Sequence, residues 1–206
     1  MRLLELFSGS KSVSKAVGSL FTEIISLDII ERYNPSVCSD ILTWDYKQYP
    51  PGYFKAIWAS PPCCEYSVLN YTHPEKVPNL ELADRLVKRT LEIIDYFQPD
   101  LYFIENPQTG LLKSRSFMSN RPYYDVDYCQ YADWGYKKRT RIWTNVKNFT
   151  PLLCHAECPN KIGRRHKATI GNSKNSPEYW VRGTERQLQR YAIPPRLIQA
   201  LFAAGM

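Results

Sequence analysis

The sequence predicts an α/β fold built on a doubly wound, mostly parallel sheet. Short apolar segments, typical of buried strands, recur through residues 1–144 and are separated by helical or polar stretches. The clearest helical pattern covers residues 80–97, where apolar side chains recur at three-and-four spacing. Strands that alternate with helices usually pair in parallel, so the two patterns together indicate a sheet with helices packed on its faces.

The individual elements are predicted in chain order. Strands are expected at residues 2–7, 23–27, 37–38, 53–59, 101–104, 126–129 and 140–144, where apolar runs end at polar or turn-forming residues. Helices are expected at residues 13–20, 80–97, 185–191 and 194–204. Ser12 is expected to cap the first helix, Pro99 to stop the second and Pro194 to begin the last.

Length and composition indicate an intracellular globular protein. A chain of 206 residues suits one domain with a small appendage. No apolar run approaches the length needed to span a bilayer, and the N-terminus does not resemble a signal peptide. The six cysteines are therefore expected to be reduced, in the cytoplasm or nucleus of a host cell, in a protein that is neither secreted nor membrane-bound.

The net charge of +7 is unevenly distributed along the chain. Residues 1–135 hold 13 Lys and Arg against 17 Asp and Glu, whereas residues 136–206 hold 14 against 3. Such a density of positive charge over a third of the chain indicates a polyanionic partner, most simply nucleic acid. The alternative is an ordinary solvated basic surface.

The segment IWASPPCCEYS, residues 57–67, carries the first candidate catalytic residue. Pro61 and Pro62 stiffen the turn that follows an apolar strand. This turn places Cys63 at the sheet edge where ligands bind in open α/β folds, and the next strand delivers Glu105 to the same edge. Cys63 is therefore a candidate nucleophile, although a free cysteine is also often a small buried hydrophobic residue.

The first predicted turn is a candidate cofactor site. Phe7-Ser8-Gly9-Ser10 follows the first strand, and Asp28 closes the second, where an acid commonly bonds ribose hydroxyls. A single glycine and the lack of a P-loop pattern disfavour a dinucleotide and leave a smaller adenosine-type cofactor open. Asp28 and Asp40 are equally typical of capping or turn residues.

Taken together, these segments resemble the DNA (cytosine-5)-methyltransferases, whose motifs recur here in the family's order from residue 3 to about residue 200. The matching segments are ELFSGS at 5–10, Asp28, Asp40 with Ile41, PPCCEYS at 61–67, Glu105 with Asn106, KKRTR at 137–141 and IPPRL at 193–197. The compact form is most similar to the virus and phage members. The resemblance implies a Rossmann-like, S-adenosylmethionine-dependent catalytic domain at 1–144, a reduced basic target-recognition segment at 145–189 and a returning C-terminal helix at 190–206.

The resemblance also implies roles for individual residues. Cys63 would add to C6 of cytosine, Glu105 would protonate or hydrogen-bond the ring N3, Arg141 would contact O2 and Arg139 would steady the nucleophile loop. One of the two arginines is expected to lower the pKa of the thiol. The target base of double-stranded DNA would be flipped out, and the loop 60–79 would act as a lid. The implied contacts of S-adenosylmethionine are Phe7, Ser8, Gly9, Ser10, Asp28, Ile29, Asp40, Ile41 and Pro61.

The chain departs from the family pattern at three positions. The usual second glycine of the cofactor turn is Lys11, the glutamine after the nucleophile is Cys64, and the glutamine that opens the arginine motif is Lys137. Two other readings stay open. Ser60-Pro61-Pro62 partly fits an exocyclic-amino methyltransferase, and Lys11 is compatible with a non-catalytic nucleic-acid-binding module. RNA is also compatible with the basic segment, because both polymers present phosphates.

A Cys/His group lies within the basic segment. Cys154, His155, Cys158 and His166 have a spacing that zinc sites permit but do not require. The favoured interpretation from sequence is that these are loop residues without a metal, with zinc bound by Cys154, Cys158 and His166 as the alternative.

Overall fold

A seven-stranded mixed sheet forms the centre of the molecule. The computed structural model describes residues 1–68, 70, 75, 77–168 and 191–206. The strands of the sheet are β1 (Arg2–Leu6), β2 (Glu23–Asp28), β3 (Val37–Cys38), β4 (Ala56–Ala59), β5 (Leu101–Pro107), β6 (Tyr123–Asp127) and β7 (Arg139–Thr144). Their order is β3-β2-β1-β4-β5-β7-β6, and only β7 runs antiparallel to its neighbours. The predicted doubly wound, mostly parallel sheet is confirmed.

Helices cover both faces of this sheet. The described helices are α1 (Ser12–Val17), α2 (Leu80–Phe97) and α3 (Pro195–Gly205). One hydrophobic cluster joins α2 to one face of the sheet, and a second joins α1 and α3 to the other. Neighbouring side chains of β4 pack on opposite faces of the sheet. Ile57 belongs to the first cluster and Trp58 to the second. None of the helices described here has the length and apolar character needed to cross a membrane.

The boundaries of α2 agree with the prediction, and those of other elements are shifted. Asn79 caps α2 by accepting the backbone N–H of Leu82, and Gln98 ends it in the left-handed conformation before Pro99. The fourth strand begins three residues later than predicted, and the sixth is β6 (Tyr123–Asp127) rather than 126–129. The helix predicted at 185–191 lies, except for its last residue, outside the described residues.

The predicted role of Ser12 as the cap of α1 is wrong. The Ser12 hydroxyl instead accepts the backbone N–H of Ile193 at 3.1 Å, which ties the approach to α3 to the start of α1. The side chain of Glu5 on β1 accepts the N–H groups of Val13 and Ser14, each at 3.2 Å. Burial nevertheless raises the pKa of Glu5, because the loss of hydration outweighs these bonds.

Parallel pairing brings four strand ends to one edge of the sheet. Leu6 is opposite both Leu27 and Ala59, and Ala59 is opposite Ile104. The turns that follow β1, β2 and β4 therefore meet beside the last residues of β5. This edge holds the predicted cofactor turn and the predicted nucleophile together.

A small second sheet lies beyond β7. It is an antiparallel hairpin of β8 (Lys161–Ile162) and β9 (Arg165–His166). Strands of two residues bury too little surface to be stable alone, so this region depends on other contacts for its structure.

Candidate active site

The loop that carries Cys63 is held by the strand beside it. The side-chain amide of Asn106, at the end of β5, donates a hydrogen bond of 2.9 Å to the carbonyl of Pro61. The backbone N–H of Ser60 bonds to the carbonyl of Leu6 at 3.3 Å. The two prolines have no backbone N–H group to donate. The loop is therefore held in place by its hydrogen bonds to β1 and β5. Cys63 lies two residues after Pro61 in this loop and is half-buried.

The chain beyond Cys63 is anchored to α2. Tyr66 is fully buried, and its hydroxyl donates to Asp84 of α2 at 2.9 Å. Asp84 also forms an ion pair with Arg115. The backbone N–H of Asn79 donates to the carboxylate of Glu65 at 2.7 Å and so joins the two ends of the loop. Residues 69, 71–74 and 76 of the predicted lid lie outside the described residues.

Glu105 lies at the end of β5 with its carboxylate almost fully buried. The Tyr128 hydroxyl donates to Oε1 of Glu105 at 3.0 Å, and the ammonium group of Lys138 lies 3.4 Å from the same oxygen. Lys138 also lies over the ring of Tyr128, 4.8 Å from its centroid. The site thus combines a carboxylate, a cation and a phenol next to the thiol.

The thiol of Cys63 is protonated at neutral pH in this arrangement. Burial and, to a smaller extent, the negative charge of Glu105 raise its pKa to about 11, although the charge of Lys138 opposes them. The expectation that Arg139 or Arg141 lowers the thiol pKa is therefore wrong for this structure. Lys138, which the sequence analysis did not single out, is the cation that acts on Cys63.

The two arginines are engaged by aspartates on the neighbouring strand. Arg139 donates to Asp127 at 3.0 and 2.6 Å, and Arg141 donates to Asp125 at 2.7 and 2.8 Å. The strand register places each arginine directly opposite its aspartate, and residues two apart lie on one face. Arg141 also stacks over the ring of Tyr123 at 3.5 Å. The sequence analysis missed both aspartates, although their alternation matches that of the arginines.

Asp127 is the more buried of the two aspartates, with a fully inaccessible side chain. Burial alone would raise its pKa, but hydrogen bonds from Arg139 and from the backbone N–H of Cys154 and the charge of Lys137 lower it overall. The carboxylate is therefore held in its ionised form.

The predicted cofactor turn has an unusual backbone. Phe7, Gly9 and Lys11 all have positive φ angles, of 56°, 41° and 55°. Lys11 adopts the left-handed conformation at the place where the family has glycine, which costs a residue with a β-carbon about 1–2 kcal/mol. Asp28 stabilises the turn by accepting the N–H of Gly9 at 2.8 Å and that of Ile30 at 2.9 Å.

Several groups at this turn suit an adenosine-type ligand. The Ser8 hydroxyl is buried and has no hydrogen-bond partner among the described residues, and Ile29 exposes 64% of its surface beside Asp28. Asp40 is half-buried and accepts the N–H of Leu42 at 2.9 Å. Ile41, in contrast, buries its side chain in the core.

The remaining predicted site residues belong to the Cys/His group. Cys154, Cys158 and His166 are brought together, and a fourth residue, Cys129, joins them from the turn after β6. His155 is exposed and is not part of the cluster. Cys129 was missed because it lies far from the others in sequence.

Comparison with known proteins gives one full-length relative. The chain is 38% identical over 220 residues to a protein of Frog virus 3 (isolate Goorha) named "Probable DNA (cytosine-5)-methyltransferase". The alignment covers 98% of both chains. No family model matches.

Two solved structures share the fold. An E. coli protein described as a "putative DNA modification methyltransferase encoded within prophage" superposes with a TM-score of 0.51 at 14% identity, over 74% of this chain and 51% of that one. The Dnmt2 methyltransferase of S. pombe superposes with a TM-score of 0.50 at 16% identity, over 74% and 53%. The chain spans about half the length of each, and at such identities the similarity is one of fold alone.

Proposed function

The chain belongs to the DNA (cytosine-5)-methyltransferase family, and from this premise we propose that it transfers a methyl group from S-adenosylmethionine to C5 of cytosine in DNA. The observation that supports this most directly is the meeting of a thiol and a carboxylate at adjacent strand ends. Cys63 follows β4, Glu105 lies in β5, and Asn106 bonds the two segments together. These are the two groups needed to activate a pyrimidine ring from opposite positions.

Cytosine C5 is a poor nucleophile until a thiolate adds to C6. In the proposed reaction the Cys63 sulfur forms a bond to C6, and the electron pair of the C5–C6 double bond becomes available at C5. Glu105 takes up the proton that the Cys63 thiol loses and shares it with N3, which neutralises part of the charge that enters the ring. S-adenosylmethionine supplies the electrophilic methyl group when it is bound. A base then removes the C5 proton, the electron pair of that C–H bond re-forms the C5–C6 double bond, and Cys63 leaves C6 as a thiolate.

The raised pKa of Cys63 supports activation by the substrate itself. The charge of Glu105 is one cause of that raised pKa, and Lys138 opposes it. When Glu105 shares a proton with the ring N3, its repulsion of a thiolate decreases while the attraction of Lys138 stays. The thiol then ionises next to the base that it attacks, and it resists oxidation and alkylation beforehand.

The same geometry suggests how the arginine motif is used. Asp125 and Asp127 hold the guanidinium groups of Arg141 and Arg139 in fixed directions through paired bonds. By the family resemblance, Arg141 contacts the cytosine O2 and Arg139 steadies the nucleophile loop. The aspartates thus act as positioning residues for these contacts.

The cofactor is proposed to bind at the turn of residues 7–11. Asp28 at the end of β2 would bond the ribose and Asp40 after β3 the adenine, and the exposed Ile29 would offer an apolar surface to the ring. The unpartnered hydroxyl of Ser8 supports a polar ligand group in the turn. Pro61 of the nucleophile loop would lie on the methyl side.

DNA would be bound mainly by the basic final third of the chain. Residues 136–206 hold 14 Lys and Arg against 3 Asp and Glu, which suits a polyphosphate backbone. The segment 145–189 is proposed to read the target site, and its residues from 169 on lie outside the described part. Because C6 of a stacked cytosine is out of reach, the base must be flipped from the duplex.

Mass spectrometry of nucleosides tests the proposal. Plasmid DNA from cells that express the chain is expected to contain 5-methylcytosine, and DNA from cells that express Cys63→Ala is not. If the methylated product is N4-methylcytosine or N6-methyladenine, the enzyme class is wrong. If cellular RNA carries 5-methylcytosine and plasmid DNA does not, the substrate is wrong. The Cys63→Ala protein, matched for expression, controls for methylation by the host.

A further inference from the structure

We propose that Cys129, Cys154, Cys158 and His166 bind one zinc ion, which fastens the basic segment beyond β7 to the catalytic sheet. The four ligand atoms all lie within 4.8 Å of one another. Three sulfur atoms and one imidazole nitrogen form a donor set found in structural zinc sites. All four positions are filled by protein, so the ion would stabilise structure and carry no catalytic water.

Two of the distances in the cluster match those of a tetrahedral site. Zinc bonds of about 2.3 Å to sulfur and about 2.0 Å to nitrogen place the sulfur and nitrogen atoms about 3.5 Å apart at the tetrahedral angle. Nε2 of His166 lies 3.4 Å from the sulfur of Cys154 and 3.7 Å from that of Cys158. Cys129 and Cys158 are buried, and the other two ligands are half-buried. The cluster thus has nitrogen–sulfur distances and a partial enclosure that suit a metal site.

The ligands come from two separate parts of the chain. Cys129 lies in the short turn after β6, and the other three follow β7. The buried side chain of Asn160 bridges the same two parts, because its amide donates to the carbonyls of Cys129 at 2.7 Å and Ala132 at 2.9 Å. Its oxygen accepts the N–H of Gly135 at 2.9 Å. A metal here would add a covalent-strength link where the polypeptide already makes polar ones.

The region around the ligands has little hydrophobic core of its own. The hairpin of β8 and β9 has two residues in each strand, and Ile162 exposes 73% of its surface. Small units of this kind usually need a metal or disulfides to be stable. All six cysteines are free thiols in the structure, so no disulfide takes this role.

The cluster is directly connected to the arginine motif. The backbone N–H of Cys154 donates to Oδ2 of Asp127 at 2.8 Å, and Asp127 holds Arg139. Zinc would therefore act through the position of Cys154 on the orientation of Arg139. This makes the ligands positioning residues, and none of them is proposed to touch the substrate.

Metal analysis of the full-length protein tests the site. Protein purified under reducing conditions without chelator is expected to contain one zinc per chain. Cys129→Ser is expected to lose most of this zinc, whereas Cys38→Ser, which removes an exposed cysteine outside the cluster, keeps it. Replacement of zinc by Co²⁺ should give the ligand-field absorption of a tetrahedral site with sulfur-to-metal charge transfer.

Two results would overturn the proposal. One is a folded wild-type protein that holds no stoichiometric zinc even after dialysis against Zn²⁺. The other is a Cys129→Ser variant that still holds one zinc with an unchanged Co²⁺ spectrum, which would exclude the four-residue site. Neither measurement depends on methyl transfer, so they separate this site from the proposed reaction. A chelator is further expected to expose residues 150–168 to protease while S-adenosylmethionine still binds, as measured by calorimetry.

Discussion

The side-chain amide of Asn106 donates a hydrogen bond to the carbonyl of Pro61 and is itself completely buried. This single bond connects the end of β5 to a loop whose two prolines cannot donate. The side-chain oxygen of Asn106 has no hydrogen-bond partner among the described residues. This oxygen is therefore a free acceptor beside the nucleophile loop. Asn106 therefore sets the distance between the Cys63 loop and the strand that carries Glu105.

Replacement of Asn106 by alanine is expected to weaken both stability and catalysis. The buried carbonyl of Pro61 would lose its donor, at a cost of about 1–3 kcal/mol in the free energy of unfolding. Urea unfolding measures this cost, and single-turnover methylation measures the rate. The affinity for S-adenosylmethionine should be unchanged, and the exposed Asn120→Ala serves as the matched control. An Asn106→Ala protein with full activity would show that the bond does not position the loop.

Substitution of the two adjacent cysteines should have opposite outcomes. Cys63→Ser is expected to abolish methyl transfer while cofactor binding and folding stay intact, because serine is a far weaker nucleophile at neutral pH. Cys64→Ser is expected to retain most activity. A duplex that contains 5-fluorocytosine should trap a covalent adduct with wild type and Cys64→Ser only. An adduct through residue 64 would mean that the nucleophile is misassigned by one position.

The reactivity of Cys63 in the DNA-free protein is expected to rise steeply with pH. With a thiol pKa of about 11, the thiolate fraction increases about tenfold for each pH unit from 7 towards 11, and alkylation by iodoacetamide should follow it. Peptide mass spectrometry separates Cys63 from the other cysteines. Because the folded state holds the proton more tightly, this group stabilises the fold below about pH 9, and that contribution is lost as the pH rises through 11.

Variants that change the charge of Lys138 or Glu105 should show how each residue affects the raised pKa of Cys63. Lys138→Gln is expected to slow alkylation of Cys63 at a given pH, and Lys138→Arg to restore it, because the cation favours the thiolate. Glu105→Gln is expected to speed alkylation, since it removes a repelling charge, and yet to abolish methyl transfer. Faster alkylation of Cys63 together with the loss of methyl transfer in Glu105→Gln would support the proposal that the substrate activates the thiol. If Glu105→Gln leaves alkylation unchanged, the carboxylate does not control the thiol.

Asp127 should be the more sensitive of the two aspartates, because its side chain is fully buried. Asp127→Asn would turn an amide N–H₂ group, itself a donor, towards the donors of Arg139 and Cys154, at a cost of about 1–3 kcal/mol, whereas the more exposed Asp125→Asn should cost less. Urea unfolding at several pH values measures both. Because the pKa of Asp127 is lowered, its contribution is present above the unfolded value near 3.8 and is lost as the pH falls through the folded one. Equal costs for the two variants would contradict the difference in burial.

The left-handed backbone at Lys11 predicts an ordering of variants. Lys11→Gly should be more stable than Lys11→Ala by about 1 kcal/mol, because both lose the side-chain bond to the carbonyl of Asn34 and only glycine is relieved of the strain. Thermal unfolding gives the order, and calorimetry with S-adenosylmethionine shows whether the glycine turn binds the cofactor at least as well. An alanine variant equal to the glycine variant would mean that the turn relaxes.

Local sequence patterns were sufficient for most of the central sheet and for α2. The spacing of apolar residues in α2 has one interpretation, and Asn79 and Pro99 define its ends. The position of β6 was harder to predict from the sequence. Asp125 and Asp127 are typical of loops unless their partners on β7 are known. A strand that pairs its charges across the sheet lacks a purely apolar pattern.

The site was predictable where its residues follow strands, and not where it depends on the antiparallel strand β7. Cys63 and Glu105 meet because parallel strands end together, which sequence can indicate. Lys138 and Cys129 reach their neighbours through the pairing of β6 with β7, and no local spacing encodes that contact. The hydrogen bonds that Glu5 accepts from the first N–H groups of α1 were also not predicted from the sequence.

The attachment of α3 to α1 has a further consequence. The residues between β7 and α3 leave and re-enter the same rigid body, since Thr144 is buried in the sheet and the bond from Ile193 to Ser12 fixes the return. The Cys/His cluster makes a third attachment, because Cys154 and His166 meet Cys129 and Asp127 from before β7. On the proposed function, an exchange between relatives of only the residues between His166 and Ile193 should transfer the preferred DNA site and keep the machinery that makes the carbon–carbon bond.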